Sequence, residues 1–491
     1  MKYSLSFIRL RLLVLAIGLS LCGPAYADDT HYQDFLVGGR SLGLGGAYVS
    51  LSADPSGVYF NPAGLADVKQ SSLQVSTSLY GFERGEINPD SFSTAVPGLA
   101  NLELDFSQLI VIPASAGFVK TFGDKLPSGL PTQAFGLVAM IPSFRKRAIS
   151  SPAFQTSEVN IGNYSRKLED NSLWTGIAYG RKFGPNLRIG VSAFYIFRTL
   201  TNYELVVQGG ESDASANESA GMAVREISLY SGSLLLGLGA KYHVSPSFKL
   251  GLSVQLPTVD LNSEGKLLFV RDRLTRDCVD EDCSGDESMV SQGLERRETT
   301  FSSENKRALM VRLGANYSMR RRFTVSGDIS IHAPVCYELI KVEGQERGCD
   351  TRGLSDADSL FPFVKTIERK TVVNVNVGME WLVIPEVSVA WGFFTDFSSA
   401  PKIRDDNEWA QVRQSPDVDL FGLSVALGYF GEHSLSRVGL MYSFGEGEDV
   451  VENDQVSAIV ASQLDSSAYQ FEKVKYFQSF MYFFISSTFR Y

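Results

Sequence analysis

The segment TVVNVNVGMEWL, at residues 371–382, alternates strictly between apolar side chains and polar or small ones. One face carries Val373, Val375, Val377, Met379 and Trp381, and the other carries Asn374, Asn376, Gly378 and Glu380. A repeat of two residues is that of a β-strand, in which successive side chains point to opposite faces. The segment therefore predicts a strand with one apolar and one polar surface.

The same alternation recurs along the chain in about fourteen segments of roughly ten residues each. They are residues 71–81, 112–121, 134–143, 172–183, 187–198, 228–242, 247–257, 307–318, 322–331, 371–384, 386–397, 419–430, 436–445 and 477–491. Brief turns join some neighbouring segments, whereas polar stretches of roughly 20–50 residues separate the others. Short turns that alternate with long loops, together with an even number of strands, are typical of outer-membrane barrels.

The first 27 residues have the pattern of a secretory signal peptide. Basic residues, an apolar run at 12–21 and a small-x-small cleavage site at 25–27 follow one another. The run is shorter than the ~20 apolar residues of a spanning helix. A lipid anchor on Cys22 is the alternative, but the bulky Leu21 before it disfavours that reading. We expect export and a mature chain that starts at Asp28.

Export and alternation together favour a barrel in a membrane. Each unpaired backbone amide costs several kcal/mol in hydrocarbon, so a spanning sheet must close on itself. We predict an all-β fold: a closed antiparallel transmembrane β-barrel of about 14 strands. It would occupy residues 71–491 and lie in the Gram-negative outer membrane, with both termini periplasmic. The alternative is a soluble secreted sandwich or propeller, whose core-facing strands also alternate.

The aromatic last strand supports a membrane location. Residues 477–491 place aromatic and apolar side chains on one face and end on Tyr491 itself. This ending resembles the C-terminal signal read by the bacterial outer-membrane assembly machinery. That machinery and the lipid of the outer membrane are therefore expected partners.

Composition and motif content narrow the classes of function. The formal net charge of −10 argues against electrostatic binding to the phosphates of nucleic acids. The four histidines are scattered, and no Ser/His/Asp or paired-carboxylate arrangement stands out, so we expect no enzyme, cofactor or metal centre. An acidic cluster near residues 277–287 could hold Ca²⁺, but its spacing is not that of an EF-hand, and a solvated loop is favoured.

Four cysteines of the mature chain lie in two of the long loops. They are Cys278, Cys283, Cys336 and Cys349. An even count after export predicts disulfides, and the spacings do not form a zinc motif. Three pairings are possible, and the short local ones, 278 with 283 and 336 with 349, are favoured.

A barrel of about fourteen strands leaves an open lumen that something must restrict. The candidate is residues 28–70, whose small residues and Pro/Gly punctuation suit a compact plug. This stretch contains GGRSLGLGGAY at residues 38–48, an Asp-Pro pair, and Asn61, Pro62 and Ala63. A phosphate-binding glycine loop is disfavoured because the third glycine of that motif is missing.

These motifs resemble the N-terminal hatch of the FadL/TodX-type outer-membrane transporters of long-chain fatty acids and aromatic hydrocarbons. The resemblance implies a fourteen-stranded barrel and a hatch motif formed by Gly43, Gly45, Gly46, Asn61, Pro62 and Ala63. It also implies sideways release of the ligand through a gap at a kinked third strand. Here that strand is 134–143, in which Gly136 and Pro142 weaken regular pairing.

The inward faces of the predicted strands carry small and apolar side chains, which suit the transport of an amphipathic ligand. An alkyl chain gains about 0.8 kcal/mol per buried CH₂, and a carboxylate needs a cation or donors. The predicted ligand-binding residues are Phe194, Ile196, Arg198, Arg312 and Phe394. Pairing of each arginine with Asp328 or Glu380 across the lumen is the favoured alternative to a role in binding.

The predicted function is passive uptake of hydrophobic compounds, above all long-chain fatty acids, with hatch-gated lateral release into the membrane. The alternative is a FadL-like barrel that acts as scaffold or receptor for a secreted or surface partner. A third reading, an unspecific hydrophilic porin, is disfavoured by the plug.

Overall fold

The computed structural model describes most of the chain. The described residues are 30–33, 37–87, 105–110, 115–125, 131–154, 161–212, 217–278, 288–320, 322–341, 366–404, 415–452 and 471–491. The predicted signal peptide and most of the acidic cluster lie outside them. Cys336 is disulfide-bonded. Cys283, Cys349 and the side chain of Cys278 lie outside the described part, so the pairing of the cysteines stays a prediction.

The described residues contain nineteen β-strands, of which seventeen form one antiparallel sheet and two form a small separate sheet. The strands are β1 (Ser72–Ile87), β2 (Asp105–Ile110), β3 (Ser115–Lys125), β4 (Pro131–Phe154), β5 (Ile161–Phe183), β6 (Leu187–Ser212), β7 (Asn217–His243), β8 (Phe248–Gln255), β9 (Val259–Cys278), β10 (Ser288–Phe301), β11 (Met310–Met319), β12 (Phe323–His332), β13 (Val335–Glu338), β14 (Thr366–Arg369), β15 (Val372–Ile384), β16 (Val387–Asp396), β17 (Asp417–Phe430), β18 (Ser434–Glu452) and β19 (Phe471–Arg490).

The large sheet closes on itself, because the first strand, β1, pairs with the last, β19. Three positions in the wall are each filled by two consecutive strands. β2 and β3 both pair with β1, and β8 and β9 both pair with β7. β10 pairs with β9 and β11 pairs with β8, so β10 and β11 share the third position. The seventeen strands therefore occupy fourteen positions, which confirms the predicted barrel and its strand number.

Several strands extend much further than alternation predicted. β6 reaches Ser212 and β7 begins at Asn217, where the pattern predicted strands at 187–198 and 228–242. The predicted long loops near 199 and 258 therefore begin as paired strands. The alternation of apolar and polar residues reveals only the part of a strand that has one face in an apolar environment and one in a polar environment. Where the two faces differ little in polarity, the strand continues without that signal.

The outer surface of the barrel is apolar and carries an aromatic belt. The belt lies at the end where brief turns join β5 to β6, β7 to β8 and β15 to β16, which we call the short-turn end. Its exposed members are Phe183, Tyr242, Tyr317, Trp381, Tyr429, Phe489 and Tyr491. Aromatic girdles of this kind mark the edge of the apolar band in outer-membrane barrels.

The inside of the barrel holds residues 37–68, which we call the N-terminal segment. It contains two short helices, α1 (Gly39–Gly43) and α2 (Gly57–Phe60), and a 3₁₀ helix at Pro62–Asp67. No helix in the described part of the chain has the length and apolar character to cross a bilayer. The apolar residues of the segment form one core with inward-facing residues of the wall, among them Trp174 and Phe194.

Leu313→Arg tests which surface of the wall meets lipid. The Leu313 side chain is 54% exposed on the outside of β11. If this surface contacts hydrocarbon, arginine there should lower the free energy of unfolding by about 2–4 kcal/mol, as measured by denaturant titration in lipid vesicles. Leu294→Arg is the matched control. Leu294 is 70% exposed on β10, beside the charged residues 295–297. Its substitution should cost less than about 0.5 kcal/mol, and equal costs would contradict the assignment.

Candidate functional site in the barrel lumen

A girdle of inward-facing glycines makes room for the N-terminal segment. The girdle consists of Gly117, Gly136, Gly180, Gly190, Gly239, Gly251, Gly314, Gly378 and Gly392. A Cβ atom at any of them would lie within 3.0 Å of an atom of the segment. Several are direct neighbours across strands, such as Gly180 with Gly190 and Gly190 with Gly239. The backbone of the segment therefore touches the backbone of the wall over much of the circumference.

The Asn61 side chain joins three parts of the chain at this girdle. Its Nδ2 donates to the carbonyl oxygens of Val49 (3.1 Å) and Ala240 (3.0 Å). Its Oδ1 accepts a hydrogen bond from the backbone N–H of Ala63 (3.1 Å) and thereby caps the 3₁₀ helix. Pro62 is the first residue of that helix and packs on Gly180 and Gly190. The geometry thus gives a physical reason for an Asn-Pro-Ala motif at this place.

The glycines of the motif serve the turn after α1. Gly45 and Gly46 have φ angles of 59° and 81°, a region that favours glycine over any residue with a Cβ. Gly43 faces Ala426, and a Cβ at Gly43 would approach it to 2.8 Å. All six residues of the predicted motif therefore lie in the packed interior, although their role in gating stays a prediction.

Two wall carboxylates hold the first half of the N-terminal segment. Asp328 on β12 accepts hydrogen bonds from the backbone N–H groups of Tyr48 (2.6 Å) and Val49 (2.8 Å) through one oxygen. Glu380 on β15 forms ion pairs with Arg40 of the segment (2.6 Å) and with Arg437 of the wall (2.8 Å). The hydrogen bonds of both carboxylates thus come from groups other than Arg198 and Arg312, although Arg312 interacts electrostatically with Asp328.

A third carboxylate, Asp67, fastens the other end of the segment. One Asp67 oxygen lies 2.8 Å from Nε of Arg188, and the other lies 2.9 Å from Nζ of Lys241 and 3.0 Å from Nε2 of His243. Lys241 also donates to the carbonyl of Ser52 (2.9 Å). Burial would raise the pKa of Asp67, but Lys241, His243 and Arg188 outweigh it and hold that pKa well below 3.8. Sequence reasoning missed this cluster because its members lie on three separate elements, the 3₁₀ helix, β6 and β7.

Asp67→Asn should remove a pH-dependent part of the stability. A carboxyl whose folded pKa is lowered stabilises fully above its unfolded pKa of about 3.9, and this stability is lost as pH falls through the folded value. At pH 7 the variant should be less stable by about 3 kcal/mol, because buried cations lose their partner. The deficit should shrink below about pH 4. Denaturant titrations in detergent at pH 7 and pH 3 measure both values.

The control for this prediction is Asp124→Asn, which changes an exposed aspartate near the short-turn end. Its stability should match that of the parent chain at both pH values. A deficit of Asp67→Asn that persists unchanged at pH 3 would show that packing, not charge, makes the contribution.

The predicted ligand residues do not converge on one place. Arg198 donates to both oxygens of Asp170 (2.9 and 2.7 Å) and to Asn305 (3.3 Å), so its charge is already neutralised. Phe194 and Ile196 are buried in the core around the N-terminal segment. Phe394 belongs to a separate small cluster with Met441 and Tyr482. The favoured alternative, pairing of Arg198 with Asp328 or Glu380, is wrong, since the partner is Asp170 on the adjacent strand.

Arg312 has a different environment. Its side chain is 3% exposed, its guanidinium lies 5.6 Å from the Phe60 ring centroid, and its Nη2 donates weakly to the sulfur of Met310 (3.6 Å). Within the described residues it forms no ion pair at salt-bridge distance, although the buried Asp328 carboxylate attracts it electrostatically, and its Nε has no hydrogen-bond partner. A buried guanidinium whose N–H groups are not all paired is costly, so this position can take an acceptor.

Two further polar groups face the lumen beside Arg312. Ser330 is its direct partner across β11 and β12, and His332 follows two residues later on the same inward face. Both side chains are buried, and neither Ser330 Oγ nor His332 Nε2 has a hydrogen-bond partner within the described part. We call Arg312, Ser330 and His332 the lumen donor site. Its three groups can donate to one anionic headgroup.

Aromatic side chains lie beside the lumen donor site and the neighbouring Arg307. The Tyr32 ring stacks on His332 with a centroid distance of 4.0 Å. The Arg307 guanidinium lies over Trp174 (4.9 Å) and Tyr32 (5.7 Å), and the Tyr59 ring meets Trp174 edge to face (6.0 Å). Cationic and hydrogen-bonding groups next to aromatic rings suit a molecule that has an anionic head and an apolar body.

The predicted gate strand is irregular at one of its two marked residues. The register of β4 against β5 shifts between Met140 and Ser143, at Pro142. The β3–β4 ladder ends at the same level, and no ladder between β2 and β4 is found within the described residues. Gly136, by contrast, is regularly paired. Its missing Cβ accommodates Val58 and Leu65 of the N-terminal segment. It therefore acts as a contact point and does not break the strand.

A closed fourteen-position barrel with an apolar exterior and a buried N-terminal segment has the fold of the FadL-type outer-membrane transporters. Among solved structures the chain is similar to a Pseudomonas aeruginosa FadL homologue, at 12% identity and a TM-score of 0.58 over 94% of this chain and 99% of that one. It is also similar to the toluene transporter TodX of P. putida, at 11% identity and a TM-score of 0.55 over the same shares. No protein-family model matches the sequence, and no curated protein matches it.

Proposed function

We propose that this chain is a Gram-negative outer-membrane channel for the passive uptake of hydrophobic compounds. Residues 28–70 would act as the hatch and residues 71–491 as the barrel, with both termini in the periplasm. The observation that carries the proposal is the lumen donor site, three buried donors among aromatic rings directly above a segment that fills the bore. The similarity in fold to a FadL homologue and to a toluene transporter supports it. No chemical reaction is involved.

We further propose that the transported compounds are long-chain fatty acids. The carboxylate would accept hydrogen bonds from Arg312, Ser330 and His332, while the chain would lie along the aromatic side chains of Tyr32, Tyr59 and Trp174. Each buried CH₂ contributes about 0.8 kcal/mol, so a long chain supplies most of the affinity. A neutral aromatic hydrocarbon would leave the Arg312 guanidinium without an acceptor. The geometry therefore favours an amphipathic acid over a compound such as toluene.

Release would occur sideways, through the wall next to β4. The bulge at Pro142 and the end of the β3–β4 ladder at Met140 place the irregularity at a single level of the barrel. A ligand that leaves the lumen through this part of the wall enters the lipid directly, without passing through water. The N-terminal segment, which contacts β4 at Gly136, would have to shift for the path to open.

Uptake into liposomes tests the function. Purified full-length barrel should accelerate the appearance of oleate inside vesicles relative to protein-free vesicles, as followed by an enclosed fatty-acid sensor. Potassium flux through the same vesicles should stay at the protein-free level, because the bore is filled. Absence of any acceleration for both oleate and toluene would refute the channel and favour the scaffold reading. A large steady potassium flux would favour a hydrophilic porin.

A further inference from the structure

A second polar site lies on the other side of the N-terminal segment from the lumen donor site. Along β11 the inward-facing residues are Arg312, Gly314 and Asn316 in turn. Val49 of the segment packs on Gly314, so it separates Arg312 from Asn316. Lys249 on β8 is the direct cross-strand partner of Asn316. Lys249 is the second residue of its strand, which places the pair near the short-turn mouth of the lumen.

The polar groups at this position lack protein partners. Asn316 is 2% exposed, yet neither its Nδ2 nor its Oδ1 has a hydrogen-bond partner within the described residues. The hydroxyl of Ser50 is fully buried in the same situation, and Ser50 lies against Gly251, the cross-strand neighbour of Gly314. Lys249 is half-buried and forms no ion pair within the described part of the chain. Buried amides without partners are rare in native proteins and call for a bound group.

The surrounding charge is positive. Lys182, Arg188, Lys241 and His243 belong to the same end of the lumen, and the only carboxylate that the described residues bring to the last three is Asp67. Lys182 donates instead to the carbonyl oxygen of Pro131 (2.9 Å). Glu380 is already shared by two arginines. Asp328 accepts hydrogen bonds from the backbone N–H groups of Tyr48 and Val49. With Asp328 included, cations still outnumber carboxylates here, although the chain as a whole carries a formal net charge of −10. Such a local excess attracts anions.

We propose that Lys249, Asn316 and Ser50 form a binding site for one carboxylate or phosphate group at the short-turn mouth of the lumen. Lys249 supplies the charge, and the amide and hydroxyl supply directed hydrogen bonds. The group can belong to a single-chain amphiphile or to a free small anion. The proposal goes beyond the proposed function and does not depend on the route of release, because a ligand that leaves sideways next to β4 does not have to reach this mouth of the lumen.

Amine labelling of the folded full-length protein in neutral detergent tests the site at its own lysine. The rate of reductive methylation of Lys249 is measured by peptide mass spectrometry without ligand and with hexanoate, inorganic phosphate or hexanol. An anion at ten times its Kd should slow labelling of Lys249 by about tenfold. Lys69, an exposed lysine near the end of the N-terminal segment, is the internal control and should react at an unchanged rate.

The arms of the experiment identify the source of the group. Protection by both anions assigns the site to the free charged group, and protection by hexanoate alone assigns it to an amphiphile. Asn316→Leu and the smaller change Ser50→Ala should each weaken the protection. Unchanged labelling of Lys249 with both anions would overturn the proposal, as would equal protection of Lys69 or protection by hexanol. Because the assay needs no transport, a failure of liposome uptake would refute only the proposed function.

Discussion

Gly392→Val should expel the N-terminal segment from its place while the barrel wall stays closed. A Cβ atom at Gly392 would lie within 3.0 Å of the backbone of Leu44 and Gly45, and a backbone cannot rotate aside as a side chain can. The ladders of β16 with β15 and β17 involve only main-chain groups and should persist. A fourteen-stranded lumen without its filling is a wide aqueous bore. Planar-bilayer recordings should therefore change from a closed baseline to steady conductance of the porin class.

Gly327→Val is the matched control for this experiment. Gly327 lies on β12 with its missing Cβ directed away from the lumen, and the nearest atom to an added Cβ is 3.8 Å away. This variant should show the closed baseline of the parent chain. Protease cleavage within residues 37–68 should increase for Gly392→Val alone. A closed baseline in Gly392→Val would mean that the segment is not what blocks the bore.

The barrel wall was predictable because each membrane-spanning residue has one of two contrasting surroundings. In β15 the apolar residues face outward and the polar or small residues face inward along 373–381, as the alternation of the sequence predicts. The long-loop ends of β6 and β7 were not predictable in this way. Their two faces differ less in polarity, so the period of two disappears while the hydrogen-bonded ladder continues.

The glycine girdle shows a second limit of sequence reasoning. Alternation identifies Gly190 and Gly239 only as small inward residues on different strands. The ladder between β6 and β7 places them side by side, where both make room for Asn61 and Pro62, and this shared role is visible only in the structure. The motif of the N-terminal segment was recognisable, whereas the surface complementary to it was dispersed over the strands of the wall.

The two candidate arginines could not be ranked from the sequence for a related reason. The strand predicted at 172–183 begins just after Asp170, so the carboxylate that neutralises Arg198 lay outside any predicted strand. The register of β5 against β6 sets Asp170 two residues from the position opposite Arg198 and on the same inward face. Arg312 forms no such ion pair: Asp328 attracts it electrostatically, but the hydrogen bonds of that carboxylate come from two backbone N–H groups.

Arg312→Met should remove fatty-acid binding while it spares the fold. Methionine is similar in length and meets Met310 and the Phe60 ring, so the apolar part of the packing is kept. Because Arg312 makes no direct ion pair within the described residues, its replacement by an apolar side chain should change the free energy of unfolding only slightly. A charge-assisted hydrogen bond contributes about 1.5–3 kcal/mol, so the Kd for oleate should rise roughly 10–100-fold. Titration of oleate into detergent-solubilised protein measures it.

Arg198→Met gives the opposite pair of results and serves as the comparison. It leaves Asp170 buried without its cation, so the free energy of unfolding should fall by about 3–5 kcal/mol while the remaining folded protein binds oleate normally. Toluene uptake into vesicles should be unaffected by Arg312→Met, because a neutral hydrocarbon makes no use of the guanidinium. If Arg312→Met binds oleate as tightly as the parent chain, the carboxylate is held elsewhere. The unpaired guanidinium must then have a structural role.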